Sequence, residues 1–168
     1  SLALSEKARD AEDVMTATAG EPAPVDVTEI AGNVVESSRG EYDGEVRLSA
    51  PSELLVTTHR RVVETILAEP VENALVHNGE DPTVEVTVSE DPRAGAVLSV
   101  ADDGPGIPAR ERKVLESGTE TQLEHGQGIG LWLVTWAVTQ LGGALSFSER
   151  EPSGSIVTVR LSDVGTGS

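Results

Sequence analysis

Two glycine clusters constrain this chain more than any other feature. The first is Asp102-Asp103-Gly104-Pro105-Gly106-Ile107, and the second is Gly126-Gln127-Gly128-Ile129-Gly130-Leu131. A mostly polar stretch separates them. Glycine has no Cβ, so a phosphate or a nucleobase can approach the backbone closely. The second cluster leads into an apolar helical pattern from Leu131 to Leu141, and backbone N–H groups at a helix start attract anions. An acid with glycines at one end and a glycine turn entering a helix at the other suggest a nucleotide site with a mobile lid.

Neither cluster decides the matter alone. The second is not a P-loop, because no Gly-Lys-Ser/Thr follows it. It is not a dinucleotide fingerprint either, because no apolar strand directly precedes Gly126. A third element lies upstream, in Glu69-Pro70-Val71-Glu72-Asn73-Ala74-Leu75-Val76-His77-Asn78. Glu69 and Asn73 fall on one helical face, one turn apart. Apolar residues flank that face, which makes polar groups there expensive without a purpose. A carboxylate and an amide oxygen so placed suit a hard cation and a positioned water.

Composition narrows the options. The chain has 168 residues, enough for one domain with a sizeable core. It has no cysteine, which excludes disulfides and thiolate metal sites. No apolar run reaches membrane-spanning length and no signal peptide is visible, so a cytoplasmic location is expected, within a full-length protein that can be membrane-attached. The formal charge is −17 and the only lysines are Lys7 and Lys113. Such a surface repels nucleic acid, so no nucleic-acid partner is expected. High Asp and Glu with scarce Lys and abundant Ala, Val, Gly and Thr resembles proteins of salt-loving archaea, where acidity serves solvation.

Along the chain, Leu4, Ala8, Ala11 and Met15 form a narrow helical stripe over 1–19. It reads equally as the tail of a dimerisation helix or as a helix packed on its own domain. Gly20 to Pro24 read as a linker or turn. Asp26 and Glu29 make a capping pattern for a helix that ends near 38–40. Val46, Leu48 and Ala50 alternate as a strand, and Leu54 to Val56 as a second short one. A longer helix starts near His59. Pro70 predicts an irregularity at 66–70, since an interior proline costs roughly 3 kcal/mol. Val84, Val86 and Val88, then Leu98 and Val100, form a hairpin around Asp91 to Gly95. A short helix is predicted after Pro108 and a loop over 117–125. The helix 128–141 stops at Gly142-Gly143, and strands follow at 144–149 and 156–161. The tail 163–168 is expected to be disordered.

The order E-x-x-x-N-A, D-x-G-x-G-I, G-x-G-I-G-L resembles the N, G1 and G2 boxes of the GHKL ATPase superfamily. The resemblance covers residues 46–161 and is strongest to the catalytic ATP-binding domain of a sensor histidine kinase. It implies an α/β (α+β) two-layer sandwich, the Bergerat ATP-binding fold, with a mixed or antiparallel sheet covered on one face by helices. It divides the chain into the end of a dimerisation and phosphoacceptor helix (1–19), a catalytic domain (20–162) and the tail (163–168).

The same resemblance implies roles. Asn73 would bind Mg²⁺ bridging the ATP phosphates, and Glu69 would act near the γ-phosphate. His77 falls where the family often has an aromatic packing on adenine. Asp102 would accept the hydrogen bond of the adenine amino group. Gly104 and Gly106 would turn the chain beside the base, with Ile107 packed on it. Gly126, Gly128 and Gly130, followed by Leu131, would bring the lid end to the phosphates, with His125 beside them. Ser155 would support the adenine-binding acid, while Asp103 reads as a turn residue. Arg110, Arg112 and Lys113 fall within the lid, and Trp132 and Trp136 read as packing or partner surface.

Three departures stand out. Pro70 splits the N-box pair, Val76 replaces a common phosphate-binding lysine, and no phenylalanine-containing box lies between the glycine clusters. The implied activity is transfer of the ATP γ-phosphoryl group to a histidine outside this chain. Expected partners are a phosphoacceptor histidine domain of the same protein or of a dimer mate, and a response regulator, within a full-length homodimer. The alternatives are a serine kinase or ATPase of the same superfamily, or a degenerate signalling module.

Overall fold

The computed structural model describes residues 2–77, 81–93, 95–104, 126–150 and 153–164, with side chains described over 8–76, 81–93, 95–104, 131–150 and 153–164. In order, the elements are α1 (Leu2–Ala19), β1 (Ala23–Asp26), α2 (Val27–Glu41), β2 (Glu45–Ser49), β3 (Leu55–Thr58) and α3 (Arg60–His77). There follow β4 (Thr83–Asp91), β5 (Gly95–Asp102), α4 (Gly126–Gln140), β6 (Ala144–Glu149) and β7 (Ser155–Leu161).

Five strands make one sheet in the order β2-β4-β5-β7-β6. β2 runs parallel to β4, and the other neighbours are antiparallel, so the sheet is mixed. Period-two alternation decides which side chains point inward. Val84, Val86 and Val88 of β4, Ala96, Leu98 and Val100 of β5, and Val157, Val159 and Leu161 of β7 are buried. Each larger apolar side chain removed from water contributes about 1.5–3 kcal/mol. Helices α2, α3 and α4 cover this face, giving the expected two-layer arrangement.

The local signals explain the helix boundaries. Asp26 caps α2: its Oδ1 accepts from Thr28 N at 3.0 Å and also from Leu54 N at 3.1 Å. α4 ends in a Schellman turn, with Gly142 at φ 69°, Gly143 N donating to Val138 O at 3.0 Å and Gly142 N to Thr139 O at 3.0 Å.

Four expectations need correction. Part of the supposed linker is strand β1, paired antiparallel to β3 as a two-stranded ribbon. A two-stranded ribbon is all edge, so Pro24 can sit in it without breaking a ladder on both sides. The stripe on α1 is misplaced: Val14 is fully buried whereas Ala8 is exposed and Met15 is 55% exposed. The helix packs along α3 and α4 through Val14 and the flanking Ala17. Pro70 does not interrupt α3, which runs continuously from Arg60 to His77. The chain after β7 is held: Thr57 N donates to Asp163 Oδ1 at 2.8 Å and Val164 N to Thr57 O at 2.7 Å. Residues 165–168 of the expected tail lie outside the described residues, as do the short helix after Pro108 and the loop 117–125. No described helix is long and apolar enough to cross a membrane.

Candidate nucleotide site

The site is built on the end of β5. Antiparallel pairing of β5 with β7 runs through Ala101↔Ile156, so Asp102 comes opposite Ser155. Ser155, buried at 6% exposure, donates from Oγ to Asp102 Oδ2 at 2.9 Å. Gly104 N donates to Asp102 Oδ1 at 3.0 Å, closing an Asx turn. Both carboxylate oxygens are thus engaged, yet a carboxylate has about four acceptor positions, so room for a further donor remains. Asp102 is half-buried and its orientation is set by two neighbours.

Gly154 makes this approach possible. It adopts φ 115°, and a Cβ built on it would stand 1.9 Å from the Asp102 carbonyl oxygen. Only glycine tolerates both the backbone angle and the contact. Beside it, Ser153 Oγ donates to the carbonyl oxygen of Asp103 at 3.2 Å, and Asp103 Oδ1 accepts from Thr83 N at 3.0 Å. Sequence reading missed this role of Asp103. No sequence pattern signals it, because its partner, Thr83 N, is a backbone group.

Helix α3 carries the other residues expected at the site. Glu69 is buried at 5% exposure, and Asn73 is half-buried one turn later. Val76 is 50% exposed, an apolar side chain presented to solvent. His77 closes α3, but its side chain lies outside the described residues. The glycines of the second cluster belong to α4, which starts at Gly126 rather than at residue 128. Gly126 and Gly128 therefore fall among its first four residues, whose N–H groups lack intrahelical acceptors, and Gly130 follows as the fifth. Leu131 is 1% exposed and packs in the core, so its side chain anchors α4 instead of facing a ligand. Trp132 and Trp136 stack with centroids 6.2 Å apart and an interplanar angle of 2° against that core. Gly106, Ile107, Arg110, Arg112, Lys113 and His125 lie outside the described residues.

An open cavity of about 370 Å³ lies between α1, α2 and α3, lined in part by Asp10, Asn33, Glu41, Arg61 and Glu69. Glu69 opens onto it, whereas Asp102, Gly104 and Ser155 do not line it. Arg61 crosses from α3 to α1 there, donating to Asp13 at 2.8 Å. That hydrogen bond raises the Arg61 pKa above its ordinary value; burial opposes it, and the charges of Asp13, Glu64 and Asp10 add to it.

Among the described residues, no cluster of three or more His, Cys, Asp or Glu side chains is arranged to hold a metal. The half-buried Asn73 offers one amide oxygen, a donor type that a hard cation accepts.

An acid steadied from the next strand, polar residues on α3 and a glycine-rich helix start are the features expected of a nucleotide-binding domain of the ATPase type. The chain belongs to the histidine kinase-, DNA gyrase B- and HSP90-like ATPase family, which matches residues 58–164. The C4-dicarboxylate transport sensor protein DctB of Rhizobium meliloti (strain 1021) is 33% identical over 144 residues, covering 82% of this chain and 23% of that protein. Sensor histidine kinase DpiB of Escherichia coli (strain K12) is 32% identical over 117 residues, covering 68% of this chain and 21% of that protein. This chain thus spans less than a quarter of the length of either relative. The solved structure of the mycobacterial sensor histidine kinase MprB superposes with a TM-score of 0.71 at 25% identity, covering 83% of this chain and 96% of that one.

Proposed function

We propose that this chain is the ATP-binding catalytic domain of a sensor histidine kinase, and that it transfers the γ-phosphoryl group of ATP to a histidine outside the chain. The observation that carries this reading is the Asp102 carboxylate held between Ser155 Oγ and Gly104 N, on a family background of ATPases and sensor-kinase relatives.

In this reading Asp102 accepts a hydrogen bond from the adenine amino group. The opening N–H groups of α4, around Gly126, Gly128 and Gly130, face the phosphates. Gly106 and Ile107 border the base, and His77 and His125 add contacts to base and phosphate. Asn73 would hold Mg²⁺, which would supply neutralisation of the phosphate charge. An imidazole nitrogen lone pair forms the new N–P bond while the bond to the bridging β,γ-oxygen breaks. ADP departs with that electron pair. Glu69 orients the incoming ring through its N–H. Phosphoryl transfer of this kind needs positioning and charge neutralisation above all.

The acceptor belongs to a phosphoacceptor domain of the same protein or of a dimer mate, with α1 as the end of its helix and a response regulator downstream. The acidic surface serves solvation at high salt, as in halophilic proteins. Calorimetric titration with ATP and Mg²⁺ in roughly molar KCl, where surface charge is screened, tests the reading. Binding that is lost in Asp102→Ala, and whose Mg²⁺-dependent gain is lost in Asn73→Ala, is expected. Failure of the folded wild-type chain to bind ATP overturns it. Acid-labile phosphate accumulating on the chain alone would place the acceptor inside.

A further inference from the structure

We propose that Asp103, the neighbour of the base-reading acid, is a positioning residue that sets how well the site separates a 6-amino purine from a 6-oxo purine. This rests on the reading of Asp102 as the adenine contact.

The argument starts from the strand end. Regular pairing between β4 and β5 stops at Val84↔Asp102. The last residue of a ladder frays unless something beyond it is held. Here the next link is made by a side chain: Thr83 N donates to Asp103 Oδ1 at 3.0 Å. The carboxylate takes the place that a backbone carbonyl would occupy had the strand continued. On the other flank, Ser153 Oγ donates to the Asp103 carbonyl oxygen at 3.2 Å. Residue 103 is therefore fastened to β4 on one side and to the turn before β7 on the other.

Asp103 is exposed and absent from the hydrophobic core, so packing does not account for these contacts. Their effect falls on the peptide that joins it to Asp102. With that peptide fixed, the Asp102 carboxylate is tied forward to Gly104 N and across to Ser155 Oγ, and its direction of acceptance is set. A 6-amino group offers an N–H to that direction. A 6-oxo group sets an acceptor against an acceptor. Hydrogen bonds weaken steeply with misalignment, and selectivity against the wrong partner comes from such repulsive pairings. A carboxylate free to swing can turn away from the 6-oxo group and loses discrimination before it loses affinity.

The test is calorimetric titration of ATP and of inosine triphosphate, whose purine is 6-oxo, into the wild-type chain, Asp103→Ala and Asp103→Asn. Asparagine keeps an oxygen to accept from Thr83 N. Wild type is expected to prefer ATP. Asp103→Ala is expected to cut that preference about tenfold while its thermal midpoint moves little, and Asp103→Asn to keep it within about threefold. The proposal is overturned if Asp103→Ala retains the wild-type ratio, or if Asp103→Asn loses it as fully, which would make charge the cause instead of the Thr83 bond. Should Asp103→Ala fail to fold, Ser153→Ala removes the other anchor at an exposed turn. A reduced preference there supports the proposal, and an unchanged one overturns it. Wild-type chain that binds ATP and inosine triphosphate equally removes the base-reading role of Asp102, and this inference with it.

Discussion

Ser155 Oγ donates to Asp102 Oδ2 at 2.9 Å across the β5–β7 pairing, so the acid at the end of one strand is steadied by the next. A hydrogen bond to a charged group is worth about 1.5–3 kcal/mol net. Ser155→Ala removes it while leaving the strand intact. ATP affinity measured by calorimetry is expected to fall about tenfold, which corresponds to roughly 1.4 kcal/mol. An affinity within twofold of wild type would show that the Gly104 contact alone orients the acid.

Two glycines with positive φ separate strain from function. Gly154 at φ 115° has the Asp102 carbonyl oxygen in the space of its missing Cβ, whereas Gly142 at φ 69° has nothing within 4 Å. Gly142→Ala is expected to cost about 1 kcal/mol of stability through its backbone angle and to leave ATP affinity alone. Gly154→Ala must displace the end of β5, so both the thermal midpoint and nucleotide binding should drop. Equal affinities for the two variants would contradict the close approach seen here.

Helix α1 offers a test of packing. Val14→Ala empties a fully buried site and is expected to destabilise the domain by about 2 kcal/mol. Met15→Ala, at 55% exposure, should change stability by less than about 0.5 kcal/mol. Arg61→Ala breaks the tie to Asp13 but removes an exposed ion pair, 58% and 37% exposed, so its effect stays below about 1 kcal/mol. Denaturant melts that reverse the order of Val14 and Met15 would mean that α1 does not pack as described.

Salt dependence follows from charge. A net −17 on 168 residues repels itself in the compact state. Raising KCl to roughly 1 M shortens the screening length to about 3 Å, so the thermal midpoint should rise by several degrees from low salt. A flat midpoint would mean that the ion pairs, such as Arg60–Glu29 and Arg160–Asp91, already absorb the repulsion.

Much of the sheet was legible because valine alternation at Val84, Val86 and Val88 is a strong period-two signal. The pairing of β2 with β4 was not, since parallel neighbours carry no turn signature. β1 was hidden because Ala23-Pro24 beside Gly20 and Pro22 reads as a turn, and only a partner strand elsewhere makes it a ribbon. The buried face of α1 was misread because its apolar residues are mostly alanine, and one valine decided the matter. At the site, the residues named by motif stood out, whereas Asp103 and Ser153 did not. Their importance comes from backbone groups they meet, Thr83 N and the Asp103 carbonyl, and a sequence pattern does not display backbone groups.

One oxygen of Asp26 serves two masters, accepting from Thr28 N at the start of α2 and from Leu54 N at the approach to β3. Val27 N also donates to Leu54 O at 2.8 Å, so helix and ribbon are fastened together at one corner. Neither can loosen without releasing the other, so α2 and the β1–β3 ribbon are expected to exchange their amide hydrogens as one cooperative unit.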